Sequence, residues 1–259
     1  MSDKDLLYRV EESIAYFTIN REKQRNSISS ETVSLFQEYL SQAEKDETVR
    51  ALCITGAGEK AFCSGADLGN VMSKEKPRGD DPLRNYADLL KRITSFPKPT
   101  VARVNGYCLA GGTGFMLACD IVIARDDTKF GTPEVNVGLF PMMIGALIFR
   151  NVPRKKAMEM VLLGDKLSSA EALDMGLITR SVPFEKLDEE VGIVLKSLAA
   201  KSPVGMKIGK EAFYAMDSMP FEEALDYLCG KLAEVASTED AVEGITAFIE
   251  KRPPVFKGK

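Results

Sequence analysis

The sequence predicts an α/β fold: a strand-rich core followed by a helical C-terminal part. Two observations carry this reading. In the first half of the chain, short runs of β-branched and apolar residues recur with polar breaks and a helix-period segment between them. Past residue 155 the hydrophobic period becomes helical and stays so to the end. Strands separated by helices place the helices on the faces of a sheet.

In chain order, Ser13 to Ile19 alternates as a strand, and Arg21 to Ser27 is a polar break. From Glu31, Val33, Phe36, Leu40 and Ala43 fall on one helical face, with Ser29 or Ser30 as cap. Val49 to Thr55 is a buried-type strand. Lys98 to Val104 follows the break at Pro97 and Pro99, and Asp120 to Arg125 is a further strand. Lys155 to Leu163 is a helix ended by Gly164. Ser168-Ser169-Ala170-Glu171 has capping-box spacing before a short helix that stops at Gly176. Helical spacing continues through Leu187 to Ala200, Val204 to Met216 and Phe221 to Val235. A last helix restarts at Ser237-Thr238-Glu239-Asp240 and runs to Pro253. The core is therefore placed at residues 1–190 and the helical C-terminal region at 191–259.

Composition narrows the chemistry. The 259 residues suffice for one large domain or two small ones at roughly 150 residues per domain. Lysine and arginine number 34 against 38 acids, a net charge of −4, so no basic surplus points to nucleic acid or an anionic membrane. There is no histidine, which removes Ser-His-Asp and Cys-His mechanisms and most catalytic zinc sites; no metal site is expected. The five cysteines are odd in number, lack C-x-x-C spacing and have no histidine base, so they read as reduced, space-filling thiols. The charged N-terminus has no secretory core, and the longest apolar stretch, Gly138 to Phe149, is broken by Pro141 and Gly145. A soluble, cytoplasmic protein without a membrane span is expected.

Four segments are candidates for chemistry. Gly56-Ala57-Gly58-Glu59-Lys60-Ala61 matches G-x-G-x-x-A, but Phe62-Cys63-Ser64-Gly65 is a poor helix start, so this reads as a turn and not a nucleotide site. Phe62-Cys63-Ser64-Gly65-Ala66-Asp67-Leu68 holds small residues in series whose backbone amides can face a ligand, or is simply a tight connection. Asn105 to Gly114 is a glycine-rich turn into a buried helix, with no Lys-Ser or Lys-Thr pair of a P-loop. In the fourth, Thr132 as cap and Pro133 at the first helical position put Glu134 in a first turn. There it either complements the helix dipole or, amid Val135, Val137, Leu139 and Phe140, is desolvated toward a general base's working range.

Jointly and in this order, these segments resemble the enoyl-CoA hydratase/isomerase (crotonase) superfamily. The resemblance runs through Asn20 to Asn26, Ala61 to Leu68, Val104 to Asp120, Phe130 to Gly138, Met160 to Pro183 and Ala247 to Arg252. It implies a crotonase-like spiral of ββα repeats with a C-terminal helical trimerisation region, assembling as a homotrimer or a dimer of trimers. It implies an acyl-CoA thioester as substrate, with coenzyme A part of that substrate and no separate cofactor. By position, the oxyanion donors are the backbone N–H groups of Ala66 and Gly111. One such donor is worth roughly 3–4 kcal/mol in oxyanion holes. Gln24, Arg25, Asn26, Ala66, Asp67 and Leu68 flank the CoA moiety, and Phe248 and Lys251 approach it from the same or a neighbouring subunit.

The sequence departs from the hydratase pattern at one position. Hydratases of this superfamily hold two glutamates; the second matches Glu134, while the first falls at Gly114. A single carboxylate resembles the Δ3,Δ2-enoyl-CoA isomerases, and Met142 stands where dienoyl isomerases carry a further acid. The leading expectation is thus a one-base isomerase using Glu134. The alternatives are a 2-enoyl-CoA hydratase and a non-catalytic acyl-CoA-binding member.

Overall fold

Alternation along the early strands sets the two faces of one sheet. The computed structural model describes residues 4–67 and 81–259. Within these, the chain runs β1 (Leu6–Glu11), β2 (Ile14–Ile19), α1 (Ser30–Lys45), β3 (Ala51–Gly56), β4 (Ala61–Cys63), α2 (Pro82–Thr94), β5 (Thr100–Val104), β6 (Tyr107–Leu109), α3 (Gly111–Leu117), β7 (Ile121–Arg125) and β8 (Lys129–Gly131). It continues with α4 (Met142–Asn151), α5 (Arg154–Leu163), β9 (Leu167–Ser168), α6 (Ser169–Asp174), β10 (Arg180–Val182), α7 (Leu187–Ala199), α8 (Pro203–Met216), α9 (Phe221–Ala236) and α10 (Glu239–Glu250).

Six strands form one sheet in the order β1-β2-β3-β5-β7-β10, and β4-β6-β8-β9 form a second. The β1–β2 pair is antiparallel, and β2, β3, β5, β7 and β10 run parallel. The chain visits the first sheet, then the second, then a helix, and repeats: β3-β4-α2, then β5-β6-α3, then β7-β8 and a 3-10 turn over Pro133–Val137. This is the expected spiral. Its short second-sheet strands feed directly into the loops that carry the candidate site.

Successive residues of the first sheet point to opposite faces. Phe17, Ile19, Leu52, Ile54, Ala102, Val104 and Val122 enter the main core. Ile14, Ala51, Cys53, Val101 and Ile123 face the other way and are covered by Leu187, Val191, Val194 and Leu195 of α7. Helix α7 thus packs on the sheet, and residue 190, where the sequence reading divides core from C-terminal region, lies within it. An aromatic relay joins the layers of the main core: Phe17 to Phe36, Phe36 to Phe115 and Phe115 to Tyr86, with ring centroids 5.8, 5.0 and 5.5 Å apart.

The caps read from sequence at Ser29, Ser168 and Thr238 form where expected. Ser29 accepts from Thr32 N, and Ser168 with Glu171 makes a reciprocal capping box. Thr238 caps α10, which ends at Glu250 with Lys251 as its C-cap, short of Pro253. The C-terminal helices are anchored by Lys210, which donates to the Lys98 carbonyl and pairs with Asp120. Buried Asp240 holds the tail by accepting from Ser202 Oγ and from the Lys257 and Gly258 amides. Among the described residues no helix is long and apolar enough to cross a membrane.

Candidate active site

Ala66 is placed by a single parallel bridge to Ile28. The Ile28 amide donates to Gly65 O (2.8 Å) and the Asp67 amide donates to Ile28 O (3.0 Å). In such a bridge the residue between those two bonds turns its own N–H away from the partner strand. Arg21 secures the turn, donating to Asp67 Oδ2 (2.8 Å) and to Ser27 O (2.7 Å).

Gly111 begins α3. The preceding Ala110 has φ 50° and ψ −129°, a conformation L-residues rarely take, and is held there by its amide's bond to Gly131 O (2.9 Å). The two loops meet. Gly65 has φ +94°, and a Cβ on it would lie 3.1 Å from Gly111 N and 2.6 Å from the Ala110 methyl. Only glycine satisfies both the backbone angle and the approach. Among the described residues neither Ala66 N–H nor Gly111 N–H donates to a backbone carbonyl. Two unspent donors on abutting loops can receive one oxyanion. Gly112 serves packing instead. A Cβ there would strike the backbone of Cys63, so its absence lets α3 pack on β4.

Glu134 lies on the 3-10 turn, not on an α-helix, and Thr132 does not cap it; the Thr132 hydroxyl donates to Met160 O (3.3 Å). Glu134 Oε2 is buried with no hydrogen-bond partner among the described residues. Burial pushes the carboxyl above its ordinary value, and a hydrogen bond from its own backbone N–H draws it partly back. Of the two opposed effects expected from sequence, desolvation prevails. Of the four neighbours expected to cause it, Val137, Leu139 and Phe140 are themselves exposed, and Val135 is half-buried.

Asn26 is buried, and its amide donates to Ala57 O (3.0 Å) and Ala61 O (2.7 Å). With Asn105, which donates to Gly56 O and Gly58 O, it staples the 56–61 loop. That loop runs into a strand, so the G-x-G-x-x-A match is a turn, as read from sequence. The Asn26 side chain is thus committed to the loop and not offered to a ligand. Gln24 and Arg25 are exposed on the adjoining 3-10 turn. Leu68 lies outside the described residues. Phe248 and Lys251 are exposed on and just after α10, and no hydrogen bond or ion pair among the described residues ties them to the spiral. Among those residues no group of three histidine, cysteine, aspartate or glutamate side chains is placed to hold a metal ion.

Sequence reasoning missed Tyr86. It sits on α2, itself unforeseen, and its hydroxyl donates to Gly111 O (2.6 Å). A signal exists in the chain: Asp81-Pro82 is a cap followed by Tyr86, Leu89, Leu90 and Ile93 on one face.

The enoyl-CoA hydratase/isomerase family model matches residues 9–259. The chain belongs to that family, and is an acyl-CoA enzyme of the crotonase superfamily. It is 32% identical over 250 residues to the (E)-benzylidenesuccinyl-CoA hydratase of Thauera aromatica, covering 96% of this chain and 97% of that protein. The enoyl-CoA hydratase structure from Mycobacterium smegmatis superposes with a TM-score of 0.92 at 32% identity, covering 97% and 98% of the two chains. That from Bacillus anthracis gives 0.93 at 29% identity over 98% and 100%.

Proposed function

We propose that the protein is an enoyl-CoA isomerase that moves a double bond between the 3 and 2 positions, with Glu134 as its one base. Glu134 takes the α-proton of a 3-enoyl thioester, and the C–H electron pair passes into a dienolate. The negative thioester oxygen is received by Ala66 N–H and Gly111 N–H. The same carboxyl, now protonated, returns the proton to the γ-carbon. No water is gained or lost. The observation that carries this reading is a buried, unpartnered carboxylate oxygen on Glu134 in a chain with Gly114 at the other acid position. A group held above its ordinary pKa is suited to taking and returning a proton near neutral pH.

Gln24, Arg25 and Asp67, with Leu68 beyond the described turn, are proposed to line the path of the CoA moiety. Phe248 and Lys251 would join from a neighbouring subunit of a homotrimer or dimer of trimers. The exposed apolar residues Phe221, Leu232, Ile245 and Ile249 on α9 and α10 support that assembly. Free cysteines, four of the five buried, fit a reducing cytoplasmic setting.

A second reading, 2-enoyl-CoA hydratase, is favoured by the names of the relatives. Purified protein given 3-enoyl-CoA and 2-enoyl-CoA separately distinguishes the two by mass spectrometry. Conversion without a change of mass supports isomerisation; a product heavier by one water replaces it with hydration. Glu134→Gln is expected to lower either activity ~10²–10⁴-fold; intact turnover would refute the assignment of the base.

A further inference from the structure

Position 114, where a second acid is absent, is not vacant space. A Cβ built on Gly114 would fall on the Tyr86 hydroxyl oxygen and lie 2.6 Å from Ile144 Cγ2 and 3.3 Å from Leu90 Cδ2. Tyr86 reaches this place from α2 with its ring against Phe115. Its hydroxyl donates to Gly111 O at 2.6 Å, and a Cβ on Gly111 would also sit 3.3 Å from the same oxygen. Burial first, then the neighbouring Cys63, Cys108 and Glu134, pushes the phenol well above its ordinary value. It therefore stays protonated and can donate continuously.

We infer that Tyr86 is a positioning residue of the oxyanion hole: its hydroxyl holds the Gly111 carbonyl, one Cα away from the donor N–H of the same residue, from the volume that a side chain at 114 would need. The inference rests on the acyl-CoA reading of the site but not on the choice between isomerase and hydratase. Residue 111 has no side chain to wedge it, and Ala110 before it is in a strained conformation. A fixed carbonyl on residue 111 supplies the restraint that a glycine lacks. The glycine at 114 and the tyrosine at 86 form one spatial trade. A side chain at 114 must displace the phenol, and displacing it releases the donor.

The test uses Tyr86→Phe, which keeps the ring and removes only the oxygen, with acetoacetyl-CoA as probe. The enolate of this thioester absorbs in the near ultraviolet, and its apparent pKa when bound measures how well the oxyanion is held. Wild type is expected to lower that pKa, and Tyr86→Phe to lower it by about one pH unit less, with kcat down about tenfold and KM within about twofold. Mere loss of packing would change the melting temperature without moving the enolate pKa. Gly114→Ala, whose methyl group strikes the phenol oxygen, should give a similar loss. In the Tyr86→Phe background the same methyl should cost less. An unchanged enolate pKa in Tyr86→Phe, or fully additive losses in the pair, overturns the inference while leaving the acyl-CoA site intact. Failure of wild type to bind or ionise the probe overturns both.

Discussion

At Glu134 one carboxylate oxygen is buried without a partner among the described residues, so ionisation loses hydration that the group's one backbone hydrogen bond only partly replaces. Its folded pKa lies above its unfolded value. Between the two, the folded state keeps a proton that the unfolded state releases, so stability falls as pH rises through that window and stays reduced above it. Glu134→Gln is therefore expected to melt about 1–3 °C higher than wild type at pH 7. The gain should vanish below about pH 4, where the carboxyl is protonated in both states. Thermal melts at the two pH values check this. As the proposed base, Glu134 acts only when ionised, so the acid limb of kcat/KM should lie above the ordinary glutamate range. The residue's identity was legible in Thr132-Pro133-Glu134, but its environment was not. Val137, Leu139 and Phe140, its apolar neighbours along the chain, are exposed, so the local sequence does not account for the burial. Tyr86 was hidden for the same reason: it lies 25 positions before the carbonyl it holds.

Among the elements, the ones visible in sequence have a full period or a cap to announce them. The helix over Ser30–Lys45 shows its apolar stripe behind Ser29, and Ser168 to Glu171 spells out its box. Strands β4, β6 and β8 have three residues each, too few to display alternation, and their pairing depends wholly on neighbours supplied by other turns of the spiral. Helix α4 reads in sequence only as an apolar run, since Pro141 and Gly145 mask its period. The glycines at 65, 111 and 112 were legible as a pattern, while the distinct part each plays emerges only from the contacts. Gly65→Ala is expected to drive a methyl group into the Ala110 methyl and against Gly111 N, parting the two loops. Turnover should fall by about 10²-fold, with far-ultraviolet circular dichroism unchanged. Activity near wild type would mean that the two amides are not used together.

For the molecule as a whole, α9 buries no residue within its own chain, and α10 presents Val242, Ile245, Phe248 and Ile249 outward. An apolar face of this extent calls for a cover. Ile249→Glu, at a position 72% exposed in the single chain, is expected to shift the mass seen by light scattering from that of the proposed trimer or hexamer toward the monomer. Unaltered mass would place the interface elsewhere. The sheet itself is built from distant pairings: Ile14 with Ala51, Leu52 with Thr100, Val101 with Ile121. Gly65, Gly111 and Glu134 follow successive turns of that winding. Long-range parallel pairing forms slowly, because loop closure precedes its reward. The proposed oxyanion cradle joins loops from separate turns of the winding and so is complete only when those turns are. An acyl thioester that binds only the completed site would stabilise the folded enzyme by mass action, so ample substrate would shelter it from degradation.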